Sequence, residues 1–201
     1  MSYYPGQEGA SSLIPTLFGE KSPTGCLPFV MGKNVSDWPG EGGIMRELTL
    51  HPKVKFTEQN FIDYRWFEKH NKPVRYDFGH GLMYTTFEYG DLSTKYDFRS
   101  DKTSIQFTNE RFEPHYGQED SLYDELLLAE IPVTNTGKAY AAEVAQLYLR
   151  LDGIKALRGF QKLWLQPGET KTSQFSLKRK DVTRWDASKS HWYIPASTLH
   201  F

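Results

Sequence analysis

Two carboxylates stand in short contexts that could support chemistry. Asp37 lies in Ser36-Asp37-Trp38, and an Asp beside an aromatic ring is a residue type that can act as a nucleophile. Pro39-Gly40 follows at once, so we interpret Asp37 as a loop carboxylate. Glu8, in Gly6-Gln7-Glu8-Gly9, begins a predicted helix, where a carboxylate favours the positive end of the helix dipole. We interpret Glu8 as a helix-capping residue rather than a ligand contact.

The histidines and the cysteine form no recognisable site. Six histidines occur, and no two have the spacing of a metal site: His51, His70, His80, His115, His191 and His200. Cys26 is the only cysteine, so no internal disulfide can form, and no His or Asp supports it as a nucleophile. The sequence has no phosphate-binding glycine loop, no Gly-x-Ser-x-Gly elbow and no dinucleotide fingerprint. We therefore predict no catalytic, cofactor-binding or metal-ligating residue in this chain.

Charge and hydropathy exclude several partners. The 201 residues carry 24 Lys+Arg against 25 Asp+Glu, which gives no electrostatic reason to bind nucleic acid or an anionic membrane. No apolar run approaches the roughly 18 to 20 residues of a membrane span, and the N-terminus does not resemble a signal peptide. We expect no nucleic-acid or membrane partner, and a cytoplasmic protein if the chain is made as it stands. The sequon Asn34-Val35-Ser36 would be glycosylated only in a secreted chain.

Three segments of the chain differ in composition and periodicity. Residues 1–34 contain one helix candidate, residues 7–18, which Gly19 ends. Residues 35–89 are rich in Gly, Pro and aromatic residues and have no sustained periodicity. Residues 90–201 contain segments of period two. We predict an incomplete α/β segment, an irregular connecting segment and a β domain at these three ranges.

The period-two pattern begins near Asp124 and predicts strands. The clearest strand places four apolar side chains on one face: Ala145, Leu147, Leu149 and Leu151. Residues 157–165 and 173–177 are two further strand candidates, and Gln166-Pro167-Gly168-Glu169 between them has the composition of a tight turn, which predicts a hairpin. Residues 185–192 predict another hairpin. Short strands separated by turns, with almost no helix, favour an antiparallel β-sandwich of immunoglobulin type.

Motifs in all three zones can be compared with a known family. The first zone contains Tyr4-Pro5-Gly6-Gln7-Glu8-Gly9, Leu17-Phe18-Gly19 and Pro23-Thr24-Gly25-Cys26-Leu27-Pro28-Phe29. The second contains Phe61-Ile62-Asp63-Tyr64-Arg65-Trp66-Phe67 followed by Arg75-Tyr76-Asp77-Phe78-Gly79-His80-Gly81-Leu82. The third contains Val133-Thr134-Asn135-Thr136-Gly137, Leu157-Arg158-Gly159-Phe160 and Leu165-Gln166-Pro167-Gly168-Glu169-Thr170. In order and spacing they resemble the end of the α/β sandwich domain, the connecting segment and the fibronectin type III-like domain of glycoside hydrolase family 3, the fungal β-glucosidases in particular.

The resemblance implies an activity whose residues lie outside this chain. The family hydrolyses terminal β-D-glucosyl bonds with retention, which needs a nucleophilic carboxylate and a separate carboxyl acid/base about 5 to 5.5 Å apart. In the family, the nucleophile comes from an N-terminal barrel and the acid/base from an earlier part of the sandwich domain. Asp37 corresponds to the segment that leaves the sandwich domain. The chain is therefore expected to be inactive alone, with the upstream barrel and α/β sandwich domains as partners in cis or in trans, and extracellular as its family is.

The resemblance also implies that the N-terminal helix lacks its cover. Leu13, Leu17 and Phe18 can form its apolar face, although Pro15 should weaken or kink it. The layers that cover such a face belong to the rest of an α/β domain. Without these layers, we expect this segment to be poorly packed or prone to associate through its exposed apolar residues. The β-sandwich could fold alone.

Two other functions are open at this point. The chain could be a non-catalytic module that binds polysaccharide, a β-glucoside or a protein partner through rings such as Trp164, Trp185 and Trp192. It could also be a remnant with no biochemical activity of its own.

Overall fold

The structure is a computed structural model that describes residues 6–40, 50–51, 57–96, 100–101 and 122–195. The chain divides into two units: Met1–Thr24 together with Met83–Phe201, and Gly25–Leu82. The domain boundaries expected after residues 34 and 89 stay predictions. None of the helices in the described ranges has the length and apolar character needed to cross a bilayer.

The first unit contains one N-terminal helix and a set of antiparallel strands. Its elements are α1 (Gly9–Leu17), β3 (Phe87–Tyr89), β4 (Ser93–Tyr96), β5 (Ser100–Asp101), β6 (Glu125–Asn135), β7 (Ala141–Leu151), β8 (Ile154–Leu165), β9 (Thr170–Lys178), α3 (Arg179–Val182), β10 (Arg184–Asp186) and β11 (His191–Tyr193). The second unit contains β1 (Met31–Gly32), a 3-10 turn (Val35–Asp37), α2 (Tyr64–Lys69) and β2 (Val74–Tyr76). The predicted helix at residues 7–18 is confirmed as α1, with Pro15 inside it.

Strand β6 is the centre of the larger sheet. β3 and then β4 pair along one of its edges, β9 pairs along the other, and β5 continues outward from β4. β7 and β8 form a separate antiparallel pair. Both sheets contribute to one apolar cluster, so they pack face to face as a sandwich. The predicted mainly β fold with an antiparallel β-sandwich is confirmed.

Alternation along the strands builds the core of the sandwich. The predicted inward face of β7 is confirmed, since its four apolar residues are all buried: Ala145, Leu147, Leu149 and Leu151. Leu127 and Val133 of β6 and Phe175 and Leu177 of β9 meet them from the other sheet. Full burial of a leucine, valine or phenylalanine side chain contributes about 1.5 to 3 kcal/mol, so this layer stabilises the sandwich.

The predicted hairpin between residues 157–165 and 173–177 is wrong. β8 pairs with β7 and β9 pairs with β6, so the turn between them carries the chain from one sheet to the other. The turn itself forms as predicted, with Gly168 at φ +76°. Two backbone bonds draw it to the end of β6: Gly168 N–H donates to the Asn135 carbonyl at 2.8 Å, and Asn135 N–H donates to the Glu169 carbonyl at 3.0 Å.

The true partner of β8 is β7, through the turn at Asp152-Gly153. Both turn residues have positive φ, +48° and +75°. Asp-Gly between two apolar alternations is a strong hairpin signal, because the mirror-image turn matches the twist of the strands. The predicted hairpin at residues 185–192 is confirmed as β10 and β11, with Trp185 opposite Trp192.

The second unit is organised around the short helix α2. Phe67 of α2 is buried, and Trp38 meets its ring edge-on at a centroid distance of 4.9 Å. Asp63, just before α2, accepts the N–H of Val30 at 2.9 Å. β1 and β2 pair antiparallel, with Met31 opposite Tyr76. Aromatic packing and single polar contacts therefore hold together a segment that has little regular structure.

Candidate docking surface

Helix α1 is short and is ended on both sides by local contacts. At its start, Ser11 donates its hydroxyl to the Glu8 carboxylate at 2.6 Å, while Ser12 N–H donates to the Glu8 carbonyl at 3.0 Å. After it, Gly19 takes a φ of +79°, a backbone conformation that glycine adopts without strain. The helix is therefore defined by its own sequence rather than by burial.

The apolar face of α1 is open. Leu13, Ile14, Leu17 and Phe18 are between 46% and 79% exposed, and no residue of α1 is buried. At 100° per residue these side chains occupy one side of the helix, and Ser12 lies on the opposite side. A contiguous apolar stripe of this kind normally packs against another element, so we define these four residues as the α1 face.

Polar contacts fasten α1 and the residues after it to the sandwich. Tyr84, three residues before β3, donates its hydroxyl to the Thr16 carbonyl at 2.7 Å, and its N–H donates to the Ser22 hydroxyl at 3.0 Å. Lys162 of β8 donates its ammonium to the Thr24 carbonyl at 3.2 Å and the Thr24 hydroxyl at 3.1 Å. Within this unit the helix thus has a defined place, while its α1 face remains available.

A buried asparagine fixes the residues near Tyr84. Asn135 is fully buried, and its side-chain amide donates to the carbonyls of Ala139 at 2.9 Å and Leu165 at 3.0 Å. Its side-chain oxygen accepts the hydroxyl of Thr85 at 2.6 Å and the N–H of Gly137 at 3.1 Å. These four contacts join three parts of the unit: the segment before β3, the loop after β6 and the end of β8. Asn135 therefore holds the segment before β3 against the loops at the end of the sandwich.

The two carboxylates singled out by sequence both have local partners. Asp37 accepts the N–H of Asn34 at 2.8 Å and closes the 3-10 turn. Its carbonyl accepts the Trp66 indole N–H and the Lys72 ammonium, each at 2.9 Å. Glu8 is the N-cap residue of α1, but its carboxylate accepts the Ser11 hydroxyl and makes no capping bond to the backbone, so the predicted side-chain cap does not form. Both side chains therefore occupy turn or helix-end positions.

In the described ranges, His70, His80 and Cys26 have local partners. His70 packs on Trp66 at a centroid distance of 3.9 Å, and His80 stacks on Tyr76 at 4.8 Å. Cys26 forms a β-bridge with Gly81. His115 and His200 lie outside the described residues. Among the residues that are described, no three His, Cys, Asp or Glu side chains come together as a metal site.

The tryptophans proposed for sugar binding contact other rings of the same chain. Trp164 stacks on Tyr140 at a centroid distance of 5.5 Å, with 29° between the planes. Trp185 meets Trp192 edge-on at 5.5 Å. Trp164 and Trp185 are about half exposed. These contacts give each ring a packing role within the sandwich or its last hairpin, and the polysaccharide-binding alternative stays a prediction.

Lowered pKa values mark carboxylates that stabilise strands and turns. The Lys95 ammonium and the Gln174 amide hold the pKa of Glu130 below its usual range. The Gln166 N–H and Lys171 lower the pKa of Glu169, and the Ser188 hydroxyl lowers that of Asp186. None of these three residues belongs to α1. The hydrogen bonds and ion pairs of these carboxylates therefore stabilise the sandwich and its last hairpin, and they do not involve the α1 face.

Comparison with known proteins relates this fold to a domain family and to homologous proteins. Residues 143–201 match the family model of the fibronectin type III-like domain. A probable β-glucosidase G of Aspergillus flavus is 36% identical over 203 residues, a match that covers 96% of this chain and 24% of that protein. The chain carries a fibronectin type III-like domain, and its homologues are β-glucosidases.

Solved structures agree with this relationship. A Chaetomium thermophilum β-glucosidase has a TM-score of 0.80 and 28% identity, covering 96% of this chain and 32% of its own. A glycoside hydrolase family 3 β-glucosidase of Neurospora crassa has a TM-score of 0.79, 28% identity and the same coverage. The sequence resemblance to family 3 is confirmed. This β-glucosidase-related chain spans about a quarter of the length of the curated relatives that it matches.

The sequence predicted only some of the residues that form or position the α1 face. Leu13, Leu17 and Phe18 were expected on one helix face, and the structure places them there together with Ile14. The anchors Tyr84 and Lys162 were missed. Each bonds a residue at least 62 positions away in the chain, and a single tyrosine or lysine carries no signal for such a pairing.

Proposed function

We propose that this chain is the C-terminal portion of a β-glucosidase and supplies domain packing and stability to an active site formed by the preceding domains. The α1 face is the docking surface, and its occupant is the apolar layer of the α/β domain that precedes it. The whole enzyme hydrolyses terminal, non-reducing β-D-glucosyl residues.

One observation carries this proposal: α1 is fastened to the sandwich while its apolar face is open. The Tyr84 and Lys162 contacts fix the position of α1 and the residues that follow it, as described above. A helix held in this way presents the α1 face in a set orientation, which lowers the entropy lost on docking. The extent of the match to β-glucosidases, nearly all of this chain but a quarter of theirs, supports an occupant from the same enzyme.

We further propose that both catalytic carboxylates lie in the preceding domains. A retaining glycosidase needs two carboxyl groups about 5 to 5.5 Å apart, one to attack and one to transfer protons. The sequence contains two carboxylates in suggestive contexts. Asp37 closes its 3-10 turn, and Glu8 accepts the hydroxyl of the neighbouring Ser11 at the start of α1. Their local roles favour a chain that is inactive by itself.

A chimera tests the proposal. The matched quarter of the Aspergillus flavus relative is replaced by this chain, and the chimera is compared with the same relative truncated before that quarter and with this chain alone. We expect aryl β-glucoside hydrolysis from the chimera, little soluble or active truncated protein, and none from the isolated chain.

The three samples separate the two parts of the proposal. Hydrolysis by the isolated chain, purified free of host glucosidases, would show that it contains the catalytic carboxylates. A truncated enzyme as soluble, stable and active as the chimera would show that the chain contributes nothing to packing.

A further inference from the structure

An exposed turn of the second unit carries the features of a modification site. Asn34-Val35-Ser36 is an Asn-x-Ser sequon whose middle residue is not proline. All three residues are exposed, and the apolar Val35 is 57% exposed. We propose that Asn34 is an N-glycosylation site, modified when the chain crosses the endoplasmic reticulum membrane.

The turn needs neither the side-chain nitrogen of Asn34 nor the hydroxyl of Ser36. Asn34 and Asp37 form a capping box, in which the Asn34 side chain accepts the Asp37 N–H through its oxygen and the Asn34 N–H donates to the Asp37 carboxylate at 2.8 Å. The Asn34 carbonyl also accepts the Asp37 N–H at 3.2 Å. Ser36 contributes its carbonyl, which accepts the Lys72 ammonium at 3.3 Å. A glycan on the Asn34 amide therefore leaves these contacts intact.

The residues on either side of the sequon hold it at the surface of the unit. The backbone of Asn34 is extended, with φ −133° and ψ 156°, immediately before the 3-10 turn. Trp38, on the other side of the turn, packs on the buried Phe67 and fixes the turn to its unit. The sequon is thus held at the surface by residues next to it, where a bulky hydrophilic group is tolerated. A glycan here would also shield Val35 from solvent.

The reaction is a transfer from a lipid pyrophosphate-linked oligosaccharide. The side-chain nitrogen Nδ2 of Asn34 attacks the anomeric carbon of the donor sugar and loses one proton. A carbon–nitrogen bond forms, the bond from that carbon to the pyrophosphate oxygen breaks, and the lipid pyrophosphate leaves. The Ser36 hydroxyl completes the sequon that the transferase recognises.

Translocation into microsomes tests the site directly. The full chain, fused to a cleavable secretory signal, is translated with endoplasmic reticulum microsomes, and protease-protected molecules are treated with endoglycosidase H. We expect one upward mobility step that the enzyme removes. Asn34→Gln and Ser36→Ala should abolish the step completely, and Ser36→Thr should retain it.

A control sequon elsewhere in the chain shows whether the translocated protein can be glycosylated in this assay. In the Asn34→Gln background, Ser188→Asn creates a second sequon with Ser190 in the exposed turn of the last hairpin. Protease-protected wild-type chain that runs unshifted overturns the proposal, most clearly when the control chain is shifted. A shift that survives Asn34→Gln also overturns it. The test is independent of the docking role proposed above, because it requires neither the preceding domains nor glucosidase activity.

Discussion

The β-sandwich and helix α1 belong to one unit but differ in how they use apolar residues. In β7, every second residue points into the core, and Leu149 is completely buried. In α1, the apolar residues share one face just as regularly, yet Leu17 is 68% exposed. The difference shows that amphipathic sequence is not enough to define a core, because the opposing layer must also be present.

The contrast extends to polar contacts. The sandwich buries Asn135 and satisfies its amide with four partners. The α1 segment uses polar contacts on exposed residues, which contribute less because water competes for the same groups. The proposed docking role therefore predicts that the sandwich is stable in itself and that α1 depends on a partner. The following substitutions test that contrast in the isolated chain.

The largest difference is expected between two leucines. Leu149→Ala removes a fully buried side chain and leaves a cavity, so it should lower the free energy of unfolding by about 2 to 5 kcal/mol. Leu17→Ala on the α1 face should change it by no more than about 0.5 kcal/mol. Urea titration followed by tryptophan fluorescence measures both. Equal losses would mean that α1 is already part of the core.

Removal of the buried amide should have the next largest effect. Asn135→Ala leaves the buried carbonyl of Leu165 and the partly buried carbonyl of Ala139 without this donor, and a buried group left unsatisfied costs about 1 to 3 kcal/mol. Thr134→Ala on the same strand is the control, since its hydroxyl bonds Thr170 at an exposed position. Thermal unfolding should show a large loss for Asn135→Ala and little for Thr134→Ala. Similar losses would contradict the role given to Asn135.

Two glycines with nearly the same backbone angle offer a closely matched pair. Gly168 has φ +76° and Gly19 has φ +79°, and a Cβ at either position would meet nothing within 4 Å. An alanine therefore adds only backbone strain, about 1 to 2 kcal/mol. Gly168→Ala should lower the unfolding midpoint because its turn joins the two sheets. Gly19→Ala should leave that midpoint unchanged, since we expect the exposed helix α1 to unfold separately from the sandwich. A matching loss at Gly19 would show that helix and sandwich unfold together.

The smallest effect is a pH dependence on the sheet. Because Lys95 holds the pKa of Glu130 below its usual value of 4.5, ionised Glu130 stabilises the fold above that pH. The contribution disappears as pH falls through the lowered pKa of the folded state. Glu130→Gln should therefore lower the unfolding midpoint more at pH 7 than at pH 3. A difference that is the same at both pH values would exclude this contribution.

Much of the fold follows from sequence because its signals are local. The alternation of β7 and the helix ended by Gly19 both follow from spacing and residue type. The pairing of β8 was predicted wrongly because Gln166-Pro167-Gly168-Glu169 specifies a turn but not which sheet the chain enters next. Asp152-Gly153 carried the better hairpin signal. The backbone bonds from Asn135 to Gly168 and Glu169 hold the Gln166-Pro167-Gly168-Glu169 turn at the end of β6, and they join residues more than 30 positions apart.

The docking surface was predictable only on its apolar side. A helical stripe with no covering layer can be recognised from periodicity and from the resemblance to part of a larger enzyme. The Tyr84 and Lys162 anchors depend on tertiary placement, so they required the structure. Helix α2 was not predicted either, because its six residues are too few to show a helical period.

The central claim is that the α1 face docks onto the preceding domain. We would compare Leu17→Asp with Ser12→Asp, which adds the same charge to the polar side of the helix, in the chimera and in the isolated chain. Lost burial of a leucine costs about 1.5 to 3 kcal/mol, or roughly a factor of ten or more. The half-life of aryl β-glucosidase activity on heating should fall at least about tenfold for Leu17→Asp and stay unchanged for Ser12→Asp, while neither substitution alters unfolding of the isolated sandwich. Equal half-lives for the two variants would contradict docking through the α1 face.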